Sequence, residues 1–287
     1  MIKPIISRYR QVFISFLLTL TKVFRTRYWG LLRYFDLNNH VKEFKVSEVK
    51  ILNDHDNWKV LEIEGFQFYW PSEYSIEGLK GLYRETFSPY IINPHAYETN
   101  KIKISSGDWV LDAGACEGFF IHYALMRNAK VLAVEPMPRL AEALRKTFNK
   151  EIADGKVIVL NAGIGTVTGK SQLQENKNKV FCSTVMEGQG LDIPIVSLDD
   201  IIIKNIIPTI NFLKMDIEGG EIDAFRGAKK TLAKRPKLSI AVYHDYQNAY
   251  TLRKIIQSNQ PLYSVKYRGL FMRDDFGPPR PYMLHAY

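Results

Sequence analysis

The sequence predicts a doubly wound α/β fold, with a mostly parallel sheet, helices on both faces and an N-terminal helical extension. Two observations carry this expectation. From Gly107 onward, short apolar runs alternate with longer segments of helical spacing, which is the pattern of strands joined by crossover helices. The length, 287 residues, suits one large α/β domain plus an extension better than two equal domains.

The extension comes first. Apolar residues at Ile5, Ile6, Tyr9, Val12, Phe13, Phe16, Leu17, Leu20, Val23 and Phe24 fall at helical spacing, with Ser7, Arg8, Gln11, Ser15, Lys22 and Thr26 mostly opposite. The apolar run Val12–Leu20 is too short to span a bilayer, and Leu20–Arg25 offers no small-residue cleavage site. The segment 4–27 reads as an amphipathic helix, and two readings stay open: contact with a membrane surface, or packing on its own domain. Residues 1–50 carry ten Lys/Arg against three Asp/Glu, whereas the remaining residues carry 29 against 27. The basicity therefore belongs mainly to the N-terminal extension, and the net charge of +9 gives the main domain no nucleic-acid-binding face. The expected organisation is a basic helical extension (1–52), a strand/helix cap (53–106) and a ligand-binding domain (107–287).

Trp58–Trp70 reads as two short strands turning at Gly65, and a helical segment follows Pro71. Within the alternating region, strands are expected at Trp109–Leu111, Val131–Val134, Val157–Leu160, Ile210–Met215 and Leu238–Tyr243. Helices are expected at Glu117–Arg127, Arg139–Asn149, Glu221–Leu232 and Tyr246–Ser258. A polar stretch, Gly169–Lys179, precedes a short apolar run at Ile193–Val196. Tyr263–Tyr267 and Tyr282–Tyr287 have no helix between them, so they are expected as an antiparallel pair at one sheet edge. Cys116 and Cys182 are the two cysteines, too few for a disulfide framework or a zinc cluster, which points to a reducing compartment such as the cytoplasm.

Ligands of doubly wound sheets bind beyond the carboxyl ends of the strands. The first strand ends in Asp112-Ala-Gly114-Ala-Cys-Glu-Gly118. This loop lacks the G-x-G-x-x-G spacing of a dinucleotide site and suits a nucleoside carrying an amino acid. Glu135 closes the second strand before Pro136 and Pro138, where a carboxylate can accept hydrogen bonds from both hydroxyls of a ribose. Asn161 and Ala162 end the third strand and are expected to border an adenine.

Four segments occur in a telling order: Gly107-Asp-Trp-Val-Leu-Asp-Ala-Gly-Ala, Val134-Glu-Pro-Met-Pro138, Val196-Ser-Leu-Asp-Asp200 and Phe212-Leu-Lys-Met-Asp-Ile-Glu-Gly-Gly-Glu221. The last leads to Phe225-Arg-Gly-Ala228. Together they resemble the FkbM family of methyltransferases over about residues 58–287. The resemblance implies a seven-stranded, Rossmann-like sheet binding S-adenosylmethionine, with methyl transfer to a hydroxyl, commonly on a sugar or a polyketide-type ring. Many relatives carry a glutamate in the strand where this chain reads Ser239-Ile-Ala-Val-Tyr-His244.

Methyl transfer needs alignment of donor and acceptor and help in removing the hydroxyl proton. Asp216 ends the fourth strand, with Glu218 and Glu221 at the start of the next helix, where carboxylates also serve as caps. Lys214, a charge in an apolar strand, is expected to pair with one of these acids. His244 ends the fifth strand, and an ordinary imidazole pKa of about 6.5 suits a base. Asp216, Glu218 and His244 are also candidate ligands of a divalent cation, at a spacing that is not diagnostic. Tyr83, Phe87, Tyr90 and Tyr97 are candidates to line the acceptor site or to pack the core. The function expected is O-methylation of a sugar, glycan or related metabolite by a cytoplasmic enzyme. Two rivals are an oxidoreductase on a similar sheet and a membrane-recruited nucleoside-binding protein without catalysis.

Overall fold

Apolar runs that are buried on both sides must be covered by helices on both faces, and the fold meets that requirement with one large sheet. A computed structural model describes residues 41–174, 184–186, 190–271 and 279–287. The expected helix at 4–27 lies outside the described residues.

A three-stranded antiparallel sheet comes first, formed by β1 (Lys50–His55), β2 (Trp58–Ile63) and β3 (Phe66–Pro71). The helix expected after Pro71 is α1 (Leu79–Phe87). The alternating region then gives β4 (Trp109–Ala113), α2 (Phe119–Leu125), β5 (Lys130–Val134), α3 (Pro138–Thr147), α4 (Asn149–Ala153) and β6 (Val157–Leu160). Four strands form a second small sheet: β7 (Gly163–Ile164), β8 (Gly169–Gln174), β9 (Thr184–Met186) and β10 (Leu191–Val196). The chain continues through α5 (Leu198–Ile203), β11 (Phe212–Met215), α6 (Glu221–Arg226), α7 (Lys229–Ala233), β12 (Lys237–Ala241), α8 (Asn248–Asn259), β13 (Val265–Arg268) and β14 (Met283–Ala286).

The large sheet has seven strands in the order β13-β14-β12-β11-β4-β5-β6. From β12 to β6 every pairing is parallel, and β14 pairs antiparallel with both β12 and β13. The edge pair expected from the missing helix is therefore present. One expectation is corrected: the single helix at Glu221–Leu232 is two, α6 and α7, broken at Gly227. The helical period of Ile222, Phe225 and Leu232 runs through the break and conceals it.

One face of the sheet packs Leu213, Met215, Leu238 and Ile240 against Phe225, Leu232, Leu252 and Ile256 of the C-terminal helices. The other packs Val110, Val131 and Phe212 against Phe120, Ile121, Leu144 and Phe148. A third cluster joins Leu61, Phe68 and Trp70 of the hairpin to Phe119 and Leu140, and to Leu173 and Ile193 of the second small sheet. No described helix is long and apolar enough to cross a membrane.

Candidate functional site

The carboxyl ends of β4, β11 and β12 lie side by side, in register through Lys214 opposite both Asp112 and Ser239. The chain that leaves β4 turns under the end of β11. Gly114 sits at φ +76°, and a Cβ there would lie 2.0 Å from the carbonyl oxygen of Asp216, so only glycine lets the two loops meet. Gly118 starts α2, buried against Leu144 and Phe148.

Lys214 does not pair with the acids that follow it, as the sequence suggested. Its Nζ lies 2.9 Å from Asp112 Oδ1 and donates to the carbonyl of Gly114 at 2.6 Å. Neighbouring parallel strands bring these groups together, a relation invisible along the chain. Asp112 is fully buried. Burial raises its pKa and the lysine opposes that rise. The pair acts from behind the loop, holding the shape of Gly114–Gly118.

Asp216, Glu218 and His244 converge as expected of adjacent strand ends. His244 Nε2 lies 3.3 Å from Asp216 Oδ1 and 3.6 Å from Glu218 Oε1, and Nδ1 lies 3.1 Å from Glu221 Oε1. Glu221 is wholly buried and accepts from Asn248 Nδ2 at 3.1 Å, so its role is larger than helix capping. Burial lowers the His244 pKa, but the carboxylates of Glu218, Glu221 and Asp216 outweigh it and hold the imidazole well above its ordinary value. The ordinary pKa expected of His244 is thus corrected.

Sequence reasoning missed two partners of this cluster, Glu85 and His95. His95 is buried, ion-paired through Nδ1 with Glu85, and its Nε2 lies 3.7 Å from Asp216 Oδ2. Tyr97 Oη donates to the same oxygen at 3.3 Å. The loop bearing these residues is strapped down by the edge strands: Arg268 Nε donates to the Asn93 carbonyl at 3.0 Å, and His285 Nε2 to the Ala96 carbonyl at 3.0 Å. Burial pushes His285 down to about 3, so it is neutral and serves as a hydrogen-bond donor. The one local signal was Asn93-Pro-His, a turn-forming triplet in which Asn93 Oδ1 accepts from the His95 amide at 2.9 Å. Of the four aromatics singled out, Tyr97 lines the site, whereas Tyr83 and Phe87 stack on each other with ring centroids 4.2 Å apart. Tyr90 lies under the Arg268 guanidinium.

These groups surround a cavity of about 390 Å³, walled by Gly114–Glu117, Lys214, Asp216, Glu218 and His244 on the strand side and by Leu82, Glu85 and Thr86 on the α1 side. Four of its walls are carboxylates, and its one lysine is committed to Asp112. Beyond Cys116 lies Glu135, 4% exposed, accepting from the amides of Cys116 and Met137, each at 2.9 Å. Burial raises its pKa to about 7. Asn161 Nδ2 donates to the carbonyls of Glu135 and Pro136, both at 2.9 Å, so it fixes the turn that presents Glu135. Ala162 is buried in the main core.

A doubly wound sheet with an acid-lined cleft at the carboxyl ends of its central strands holds that cleft where the ligands of open α/β folds bind. Residues 112–268 match the family described as the methyltransferase FkbM domain, more than half of the chain, and the protein belongs to that family. Among solved structures, it is similar to methyltransferase FkbM from Methylobacillus flagellatus KT, with 24% identity and a TM-score of 0.51 over 72% of this chain and 50% of that one. This chain thus spans half the length of that protein, with which it shares the fold. Similarity extends to a tRNA m1G37 methyltransferase from M. jannaschii (14% identity, TM-score 0.41, 82% and 55% of the two chains). An S-adenosylmethionine-dependent O-methyltransferase from Thermotoga maritima also matches (13% identity, TM-score 0.37, 64% and 60%). No curated protein matches.

Proposed function

We propose that the protein is an S-adenosylmethionine-dependent O-methyltransferase acting on a hydroxyl of a sugar, glycan or related metabolite. Family membership supports methyl transfer, and the observation that carries the reading is the acid-walled cavity between the Gly114–Glu117 loop and the Asp216–His244 cluster. When bound, the donor supplies an electrophilic methyl group on a sulfonium, and a cleft rich in carboxylates suits that positive charge. Glu135, in the turn beyond the cavity loop, is the residue assigned to the ribose hydroxyls, and the Gly114–Gly118 loop is assigned to the amino-acid part. Asp216, Glu218 and His244, which converge at the strand ends, are the groups assigned to orient an acceptor hydroxyl and handle its proton.

The acceptor class rests on the family resemblance. The basic segment 4–27 supports a peripheral contact with the anionic inner face of the cytoplasmic membrane, which suits a lipid-linked sugar. The full chain should bind S-adenosylhomocysteine in calorimetry, and a panel of sugars and glycolipids incubated with labelled donor should yield a methylated product by mass spectrometry. Binding of NAD in place of S-adenosylhomocysteine would sink the reading.

A further inference from the structure

We propose that Asp216, Glu218 and His244 form a site for one divalent cation, magnesium or manganese, at the acceptor end of the cavity. The proposal rests on the methyl-transfer reading and deepens it, because a cation there would hold the acceptor oxygen. One ligating atom from each of the three residues lies within 4.8 Å of the others, and all three side chains wall the cavity.

The imidazole provides the observation that points to a ligand. The His244 side chain is 9% exposed, and its Nε2 is a buried atom with no hydrogen-bond partner. Asp216 Oδ1, 3.3 Å away, is likewise buried and makes no hydrogen bond. Buried polar atoms are normally satisfied, and a cation that displaced the Nε2 proton would engage Nε2, Asp216 Oδ1 and Glu218 Oε1 together. Lys214, the lysine in the wall, is held by Asp112 and does not fill that place.

The surroundings fit a metal-binding imidazole. Its second nitrogen, Nδ1, faces Glu221 Oε1 at 3.1 Å, and Glu221 is itself held by Asn248 Nδ2 and by the amides of Ile217 and Gly219. A buried carboxylate behind a ligating histidine fixes the tautomer that presents the other nitrogen. Two carboxylates, one imidazole and no thiolate suit a hard cation that keeps several open positions for water or a substrate oxygen. A bystander histidine needs neither the buried Glu221 nor its three supports.

Manganese is the probe. Titrating Mn²⁺ into the full chain, with free ion followed by electron paramagnetic resonance, should show one bound equivalent that Mg²⁺ displaces. Asp216→Asn and Glu218→Gln should each weaken Mn²⁺ binding at least tenfold in chains whose melting curve stays near wild type. If those variants fail to fold, electron spin-echo modulation of Mn²⁺ on the wild-type chain decides, since one imidazole nitrogen should couple to the bound ion. No bound equivalent, no nitrogen coupling, or unchanged affinity in folded variants would overturn the site. If the chain binds S-adenosylhomocysteine but not Mn²⁺, the cation site alone fails, whereas a chain that binds Mn²⁺ but not S-adenosylhomocysteine defeats the methyl-transfer reading.

Discussion

Glu135 shows how one buried carboxylate ties donor binding to pH. Burial raises its pKa to about 7 against the lowering effect of two backbone amides. A carboxylate must be ionised to accept both ribose hydroxyls, so S-adenosylhomocysteine affinity should fall about tenfold per pH unit below 7. Calorimetry between pH 6 and 8 should show that slope in the wild type and none in Glu135→Gln. Stability runs in the opposite sense. The ordinary value is 4.5, so the folded chain holds the extra proton between 4.5 and about 7, and stability is lost as pH rises through that window. Glu135→Gln should therefore melt higher than wild type at pH 8. Lys214 poses the converse case, a cation whose removal strands a charge. Lys214→Met leaves Asp112 fully buried and unpaired, which costs about 3–5 kcal/mol. Adding Asp112→Asn should recover a large part of that loss in chemical denaturation. A single variant as stable as wild type would show that the ion pair does not support the loop.

At the scale of elements, what was legible follows from periodicity and from strand ends. β4, β5, β11 and β12 are largely buried apolar runs, and Asp216, Glu218 and His244 follow the ends of the adjacent strands β11 and β12, so these three were read correctly as neighbours. β1 was not seen because all six of its residues are exposed and carry no alternation. β8 hid in a polar stretch because its pairing with β10, not its composition, makes it a strand. Glu85 and His95 reach the site from an α1 wall and an aperiodic loop, held by Arg268 and His285 more than 170 residues away, a relation no local pattern records. The α6–α7 break has a single sequence mark, Gly227. A Cβ on Gly227 would lie 2.2 Å from the carbonyl oxygen of Thr166, so the glycine lets α6 seat against the loop before β8. Gly227→Ala should overpack this contact by about 2 kcal/mol, lowering Tm by roughly 4–8 °C in a thermal melt. An unchanged Tm would mean the loop yields freely.

The whole molecule divides by charge. Residues 1–50 hold ten basic residues against three acidic ones, while the remainder of the chain is nearly neutral and its cavity acidic. If the extension only packed on its own core, its apolar stripe would need covering, but Arg8, Arg10, Lys22, Arg25 and Arg27 would gain little from that arrangement. Near an anionic surface each contributes about 1 kcal/mol of attraction. The full chain should therefore sediment with vesicles containing anionic lipid and release as salt rises, because screening acts within a Debye length of about 10 Å at 0.1 M salt. The cut that tests this must spare the fold. Val46 is buried in the cluster with Leu61, Phe68 and Trp70, and β1 begins at Lys50, so a chain starting at Val41 keeps the cap intact. That shortened chain should stay in the supernatant at every salt concentration and bind S-adenosylhomocysteine as the full chain does. If the full chain ignores anionic vesicles, or if the shortened chain loses its cooperative melt, the extension belongs to the core and the membrane contact fails.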